Sequence, residues 1–546
     1  MEQSSILEAQ IICMRLLLFM MCLWSLFSCG SVDKTDAEKK IFRYNESAGI
    51  HSFDPAFAKD QARIWFCNQV YNSLVQLDST LQVQPSIAKN WSISADGLKY
   101  QFVLREDVYF HPSVELFGSE GYRAVSVDDV VYSLSRLLDD KVASPGAWVL
   151  SSVNRIYSLN DSTVSIDLTS PNPAFLGMLS MQYCSIIPIE SDTVTNFFET
   201  PIGTGPFHFQ YHKNNVKLVL RKHQNYFEFE GAHRLPYIDA VSVRFIPDKQ
   251  TAFLEFIKGN FDFLSGIDAS YKDELLDREG ELREKYHNSL KSTKQDYLNT
   301  EYLGILMNED QSNSALKDLR VRKALNLSFD RSQMMQYLRN NIGTPANAGF
   351  IPKGLSGYQE GIGYEYDPEY AKKLLSDAGY PNAEGIPEIE LNTTSSYLDL
   401  CEYIQHAWQS LGFKVAVNVS PPSTHRQQVS NSQLSIFRGS WIADYADAEN
   451  YMALFYSKNH SPNGPNYTHF SNDRFDSLYE QSLAISELSD RIPLYEEMDR
   501  ILMDQATIIP LYYDNVMRFY HSYLTGLGSN PMNLLDLKRV QFNTEL

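Results

Sequence analysis

Basic residues are in short supply. Only 47 Lys and Arg stand against 67 Asp and Glu, leaving a net charge of -20. Phosphate backbones require a basic footprint, so nucleic acid is excluded as a partner. Cysteine is scarcer still, with six in 546 residues. Cys13, Cys22 and Cys29 crowd the N-terminus. Cys67, Cys184 and Cys401 are too scattered for a disulfide framework or a zinc spacing, although one bridge remains open to them. Catalytic signatures are absent as well: there is no HExxH, no GxSxG and no Walker loop. Their absence does not exclude catalysis, but nothing in the chain asks for it or for a cofactor. No internal repeat and no long low-complexity run occurs.

Aromatic residues, by contrast, are plentiful. The chain has 33 Tyr and 30 Phe and is 43% hydrophobic overall. That composition suits a packed globular protein of several domains, and aromatics also line pockets for variable ligands. The longest apolar run, Leu16 to Leu26, is too short for an ordinary membrane-spanning helix but has signal-peptide length, with Arg15 before it. Leu26-Phe27-Ser28-Cys29, followed by Gly30-Ser31, resembles a bacterial lipobox. Residues 1–28 are therefore expected to be a lipoprotein signal, Cys29 to carry the lipid that partners the membrane, and residues 29–40 to form a tether. An ordinary secretory signal or a membrane anchor is the alternative. Glu2 and Glu8, with no Lys or Arg before Met14, are wrong for the start of a signal, so Met14 is the better first residue.

Ile41 to Tyr44 begins a strand, and Ser52 to Phe57 (SFDPAF) is a turn or loop shaped by its proline. Ala62 to Leu74 has helical patterning. Residues 91–105 form a hairpin turning at Asp96-Gly97. Ser126 is placed to cap a helix beginning Val127-Asp128-Asp129. Thr163 to Leu168 alternates as a strand. Pro201 to Phe207 (PIGTGPF) is a Gly-Pro loop, not a dinucleotide fingerprint, because His208 stands where the third glycine belongs. His208 and His212 have a metal-like spacing, but on a strand they stand about 13 Å apart, too far to share an ion. The helix over residues 366–378 stops at Gly379. Strands at 389–392 and 413–419 flank a helix at 398–411, an α/β unit of the kind used in parallel sheets. Asp490 to Gln505 is a further helix.

The stretch Arg438 to Tyr451 (RGSWIADYADAENY) draws attention by its charge pattern. If the strand entering it continues, Arg438, Ser440, Ile442 and Asp444 share one face, while Trp441, Ala443 and Tyr445 share the other. Arg438 and Asp444 are then roughly 20 Å apart, at about 3.3 Å per residue. Such a face suits an extended zwitterion, with an ammonium on Asp444 and a carboxylate on Arg438. The plainer reading is a strand with two solvated charges and a core tryptophan.

Taken together, SFDPAF, NWSISADGLKYQFVLREDVYFHP, DDVVYSLSR, PIGTGPF, DLRVRKAL, AKKLLSDAGY and RGSWIADYADAENY resemble the solute-binding proteins of bacterial peptide ABC importers, the dipeptide- and oligopeptide-binding group, family 5. The likeness runs from about Ile41 to the C-terminus. It implies an α/β, two-lobed periplasmic-binding fold with an extra subdomain and a ligand cleft between the lobes. Residues 41–71, 196–290 and 510–546 would form the first lobe, 72–195 its extra subdomain, and 291–509 the second lobe. It further implies a monomer that passes short peptides to permease and ATPase subunits. Asp444, after Trp441, would take the ligand ammonium; Arg438 lies where oligopeptide binders can meet a carboxylate; backbone at Ser440 and Ile442 would pair with the peptide, beside Tyr445. Lys59, Asp60 and Gln61 would contact the ligand from the other lobe. Some members have Cys where Ile442 stands, so no disulfide is expected there. Other readings are the same fold binding a nickel chelate, haem, glutathione or oligosaccharide, a surface signalling or adhesion protein, and, disfavoured by the missing motifs, a hydrolase.

Overall fold

Two strands are much longer than the rest, Leu290–Ile305 and Ile508–His521. They belong to a computed structural model that describes residues 39–543, apart from 195, 269 and 309–313. The proposed signal, Cys29 and nearly all of the tether lie outside the described residues. The two long strands pair antiparallel in two stretches, Leu290–Asp296 with Asn515–His521 and Thr300–Gly304 with residues 508–513. Between them the register shifts, leaving Tyr297, Leu298 and Asn299 opposite Asp514. One eleven-stranded sheet is thereby continuous through only these two strands. On one side of the shift it runs through Phe263–Ser265, Ile41–Asn45, Ala240–Arg244, Lys217–Lys222 and Phe207–Lys213. On the other it runs through Ile436–Ile442, Ile389–Thr393 and Val415–Val419.

The hydrophobic cores divide in the same way. One collects Phe42, Trp65, Val70, Leu220, Val243, Leu535 and Val540, from the beginning, middle and end of the chain. The first helix, Gln61–Val70, is tied to the C-terminal return: Trp65 Nε1 donates to the Asn533 carbonyl (2.8 Å), and Asn68 Nδ2 to that of Leu535 (2.9 Å). A separate core lies around the four-stranded sheet Ala88–Ile93, Lys99–Leu104, Thr163–Leu168 and Val153–Asn160. Two further cores lie almost wholly within 298–512.

Most of the landmarks take the expected form. Ser126 caps Val127–Leu137 in a reciprocal box with Asp129. The 88–104 hairpin turns through Gly97 at φ 68°. Strands 389–393 and 415–419 run parallel around the helix Leu398–Ser410. Asp54 of SFDPAF meets Arg136 of DDVVYSLSR in a largely buried pair (2.5 Å), joining two distant motifs. Phe207–Lys213 is a strand, in which His208 and His212 are far from chelating geometry. Cys67, Cys184 and Cys401 are all free and buried.

Two expectations need correction. The first helix ends at Val70 rather than Leu74, because the Gly205 amide takes the Val70 carbonyl (2.9 Å) and Tyr71 turns extended. Only glycines admit this approach: a Cβ on Gly203 or Gly205 would collide with the Gln69–Val70 backbone. The strand beginning at Ile436 ends at Ile442, before Asp444. After Ala443 bonds the Leu298 carbonyl (2.8 Å), the Asp444 amide turns to the Asn450 side chain (3.1 Å).

A buried carboxylate braces the register shift. Asp499, on the helix Leu488–Gln505, accepts from the amides of Phe350 (2.7 Å) and Ile351 (3.2 Å). The same loop receives Thr300 Oγ1 at the Phe350 carbonyl (2.9 Å) and the Tyr513 hydroxyl at that of Gly349 (2.6 Å). Burial raises the Asp499 carboxyl to about 7. Because the folded value is the higher one, the folded chain holds the proton after the unfolded chain has lost it. Stability therefore declines as pH rises from about 4, near the ordinary Asp value, to about 7. Compared with Asp499→Asn, the wild type should lose unfolding free energy across that window, at about 1.4 kcal/mol per pKa unit. Urea unfolding of both proteins at several pH values measures it; a difference that does not change with pH would refute the assignment.

Candidate functional site

Strand Ile436–Ile442 is held on one side by Asn299–Ile305. Its register is fixed by aromatic rings over glycines, Phe437 facing Gly304 and Tyr302 facing Gly439, where a Cβ would strike the ring in each case. On the other side Ile389–Thr393 pairs only as far as Phe437, and no described strand accompanies Gly439–Ile442. In an antiparallel ladder alternate residues turn both backbone groups toward the same neighbour. Ser435 bonds Leu306 and Ala443 bonds Leu298, so the odd-numbered residues bond inward. Arg438, Ser440 and Ile442 therefore direct their amides and carbonyls outward. The Arg438 carbonyl accepts His425 Nε2 (2.8 Å), which leaves Ser440 and Ile442 as an open edge.

Asp444 lies just beyond this edge. Asn450 organises its surroundings: its Oδ1 accepts from Trp441 Nε1 (2.9 Å) and from the Asp444 amide, and its Nδ2 donates to Asp444 Oδ2 (3.3 Å). Trp441 and Asp444, which strand alternation would separate, thus share one amide side chain. Asp444 is exposed to solvent as a residue, yet the protein around it raises its carboxyl, with the Asn450 bond opposing. Asp444 is thus reached by solvent yet surrounded by enough protein to disfavour its charge. No described cation pairs with it. Tyr445 is held by the buried Glu449, which also takes the Tyr479 hydroxyl. Its ring lies 6.1 Å from that of Trp148, and it packs against the core of the four-stranded sheet.

Tyr183 links Asp444 to the start of the first helix. Burial raises its phenol; Asp444 and Asp60 add to the rise and Arg63 opposes it, so Tyr183 lies within electrostatic reach of both sides. Asp60 caps the first helix, accepting from the Arg63 amide (3.2 Å) and pairing with Arg63 Nε (2.9 Å). Lys59, Asp60 and Gln61 are all exposed there.

Arg438 has a different setting. Its guanidinium pairs with Glu301 and lies 3.3 Å from the centre of the Tyr397 ring. Glu301 is 2% exposed. Burial raises its carboxyl, Arg438 and the Asn299 amide (3.1 Å) lower it, and Asp514 raises it. These groups stand at the register shift. Meeting a ligand carboxylate would require Arg438 to leave Glu301.

Sequence reading missed Asn450, Tyr183, Trp148, Glu301 and Tyr397. Asn450 falls within the stretch singled out, and amide six residues after carboxylate is the only local signal for it. The other four come from distant segments and carry none. Among the described residues, no cluster of three or more His, Cys, Asp or Glu could hold a metal ion, and no helix is long and apolar enough to cross a membrane.

Residues 82–463 match the sequence model described as bacterial extracellular solute-binding proteins, family 5 middle. Haem-binding protein A of Haemophilus influenzae is 27% identical over 477 residues, covering 81% of each chain. Probable di/tripeptide-binding protein 5 of Pseudomonas aeruginosa is 27% identical over 495 residues, covering 86% of this chain and 89% of that protein. Among solved structures, HbpA2 from Haemophilus parasuis superposes with a TM-score of 0.82 at 24% identity, over 92% of this chain and 99% of the other. The unliganded open form of MppA, a periplasmic murein tripeptide binding protein, superposes with a TM-score of 0.79 at 22% identity, over 92% and 98%.

Proposed function

We propose, because this chain belongs to family 5 of the bacterial extracellular solute-binding proteins, that it captures short peptides and passes them to the permease of an ABC importer. The family accounts for the solute-binding role; the peptide is our reading. The observation that carries it is Asp444, a carboxylate without a cation among the described residues, set at the end of an open strand edge. A peptide added as a strand would exchange backbone hydrogen bonds with Ser440 and Ile442 and place its ammonium at Asp444. All peptides share these features, so side chains can vary. A dipeptide-binding protein of Escherichia coli, 24% identical over 487 residues, is named for such a ligand.

Residues 41–71, 196–290 and 510–546 form the first lobe in this reading, 72–195 its subdomain and 291–509 the second lobe. The two long strands are the hinge. Binding should close the lobes and reduce the radius of gyration. Small-angle scattering of ligand-stripped protein, with and without trialanine, tests this; an unchanged radius at saturating peptide would argue against closure.

Cys29 anchors the mature chain through a lipid in the same reading, motivated by Leu26-Phe27-Ser28-Cys29 after an apolar run. Cys29→Ser should move the protein from the membrane fraction to the soluble one. Unchanged fractionation with unchanged processing would reject the lipid.

A further inference from the structure

A sizeable cavity in the described chain lies away from Asp444. It has a volume of about 810 Å³, and its walls come from residues 67–86, 105, 180–185, 206–229 and 526–539. None comes from 291–509, so it is separate from the open strand edge. Its volume lies within the range of about 300–1,000 Å³ usual for small-molecule sites.

The charges of its walls cancel. Asp78, Glu228 and Asp536 face Arg105, Lys538 and Arg539, three against three. The cations are already paired. Lys538, 7% exposed, gives its ammonium to Glu228 (2.8 Å) and Gln76 Oε1 (3.1 Å), while Gln76 Nε2 donates to the other Glu228 oxygen (2.8 Å). Arg105 holds Asp107 (2.9 Å), and Arg539 lies 3.6 Å from Asp536. An anionic ligand would have to compete with one of these pairs, and Asp78 already accepts from Thr80, Gln82 and Gln84.

The remaining polar lining consists of six amide side chains, six serines and the tyrosines Tyr71 and Tyr226. Amides and hydroxyls both donate and accept, the pattern that matches a solute carrying many hydroxyls. Ser86, 1% exposed, has its hydroxyl unbonded among the described residues. Phe229, half exposed, adds an apolar ring surface against which the C–H face of a sugar can rest. We propose that this cavity is a second binding site, for a neutral, hydroxyl-rich solute of the class of a short soluble oligosaccharide.

Maltotriose, cellotriose and triacetylchitotriose are the probes, first by saturation-transfer NMR and then by calorimetric titration of the intact mature protein. At least one should bind saturably. Ser529→Trp and Gln84→Trp alter exposed lining positions on two separate segments. Each should weaken that sugar at least tenfold while leaving the thermal unfolding midpoint unchanged. Asp444→Ala should alter sugar affinity less than twofold. Failure of all three sugars to bind would overturn the proposal, as would wild-type affinity in a well-folded tryptophan variant. Loss of sugar binding in Asp444→Ala would overturn it too, by moving the sugar to the strand edge.

Discussion

Asp444→Ala should weaken the binding of a short peptide by roughly 30-fold to several thousand-fold, the effect of losing about 2–5 kcal/mol. In the proposed peptide-binding role, removing the carboxylate would leave the ligand ammonium out of water without its partner once the lobes close. The site is prepared for that charge: protein crowding raises the Asp444 carboxyl, Asn450 holds it in place, and no described cation competes for it. Acetylating the peptide N-terminus removes the other member of the pair. It should therefore damage binding to the wild type by a similar factor, and binding to the variant much less. Calorimetry on the four combinations separates the outcomes. If mutation and acetylation act independently, the ammonium is bound elsewhere. If neither weakens binding, the strand edge is not where peptides dock.

Arg438→Met destabilises the fold by about 3–5 kcal/mol, because it leaves Glu301 buried without its counter-charge. Burial already raises the Glu301 carboxyl and Arg438 pulls it down, so the variant carries a still higher folded pKa than the wild type. A raised carboxyl loses stability as pH rises from its unfolded value through its folded one. The deficit of the variant should accordingly be smallest in acid and grow toward neutral pH. Arg438→Met with Glu301→Gln removes both charges and should recover most of the loss. Denaturant midpoints for wild type, single and double variants measure this directly. A single variant within about 1 kcal/mol of wild type at neutral pH would mean that Glu301 does not depend on Arg438, leaving the guanidinium available to a ligand carboxylate.

The likeness to peptide importers, the α/β class and most elements were legible because they depend on local rules. Apolar period, Ser126 before an acidic turn, Asp96-Gly97 in the hairpin and Gly379 after a helix are signals within a few residues, and the structure repeats them. The open edge at Ser440 and Ile442 was half legible. Sequence could place the strand, but only the ladder shows which residues bond inward and where the parallel neighbour stops. The tertiary structure alone decided the use of the two charges. On an ideal strand Arg438 and Asp444 are equivalent ends of one face. In the fold Arg438 meets Glu301 from a strand 137 residues away, and Asp444 leaves the strand to meet Asn450. Charge identity is local, whereas partner and burial are set by what long-range pairing brings alongside. The same holds for Tyr183 and for the cavity at Lys538, whose walls are far apart in the chain and meet only on folding.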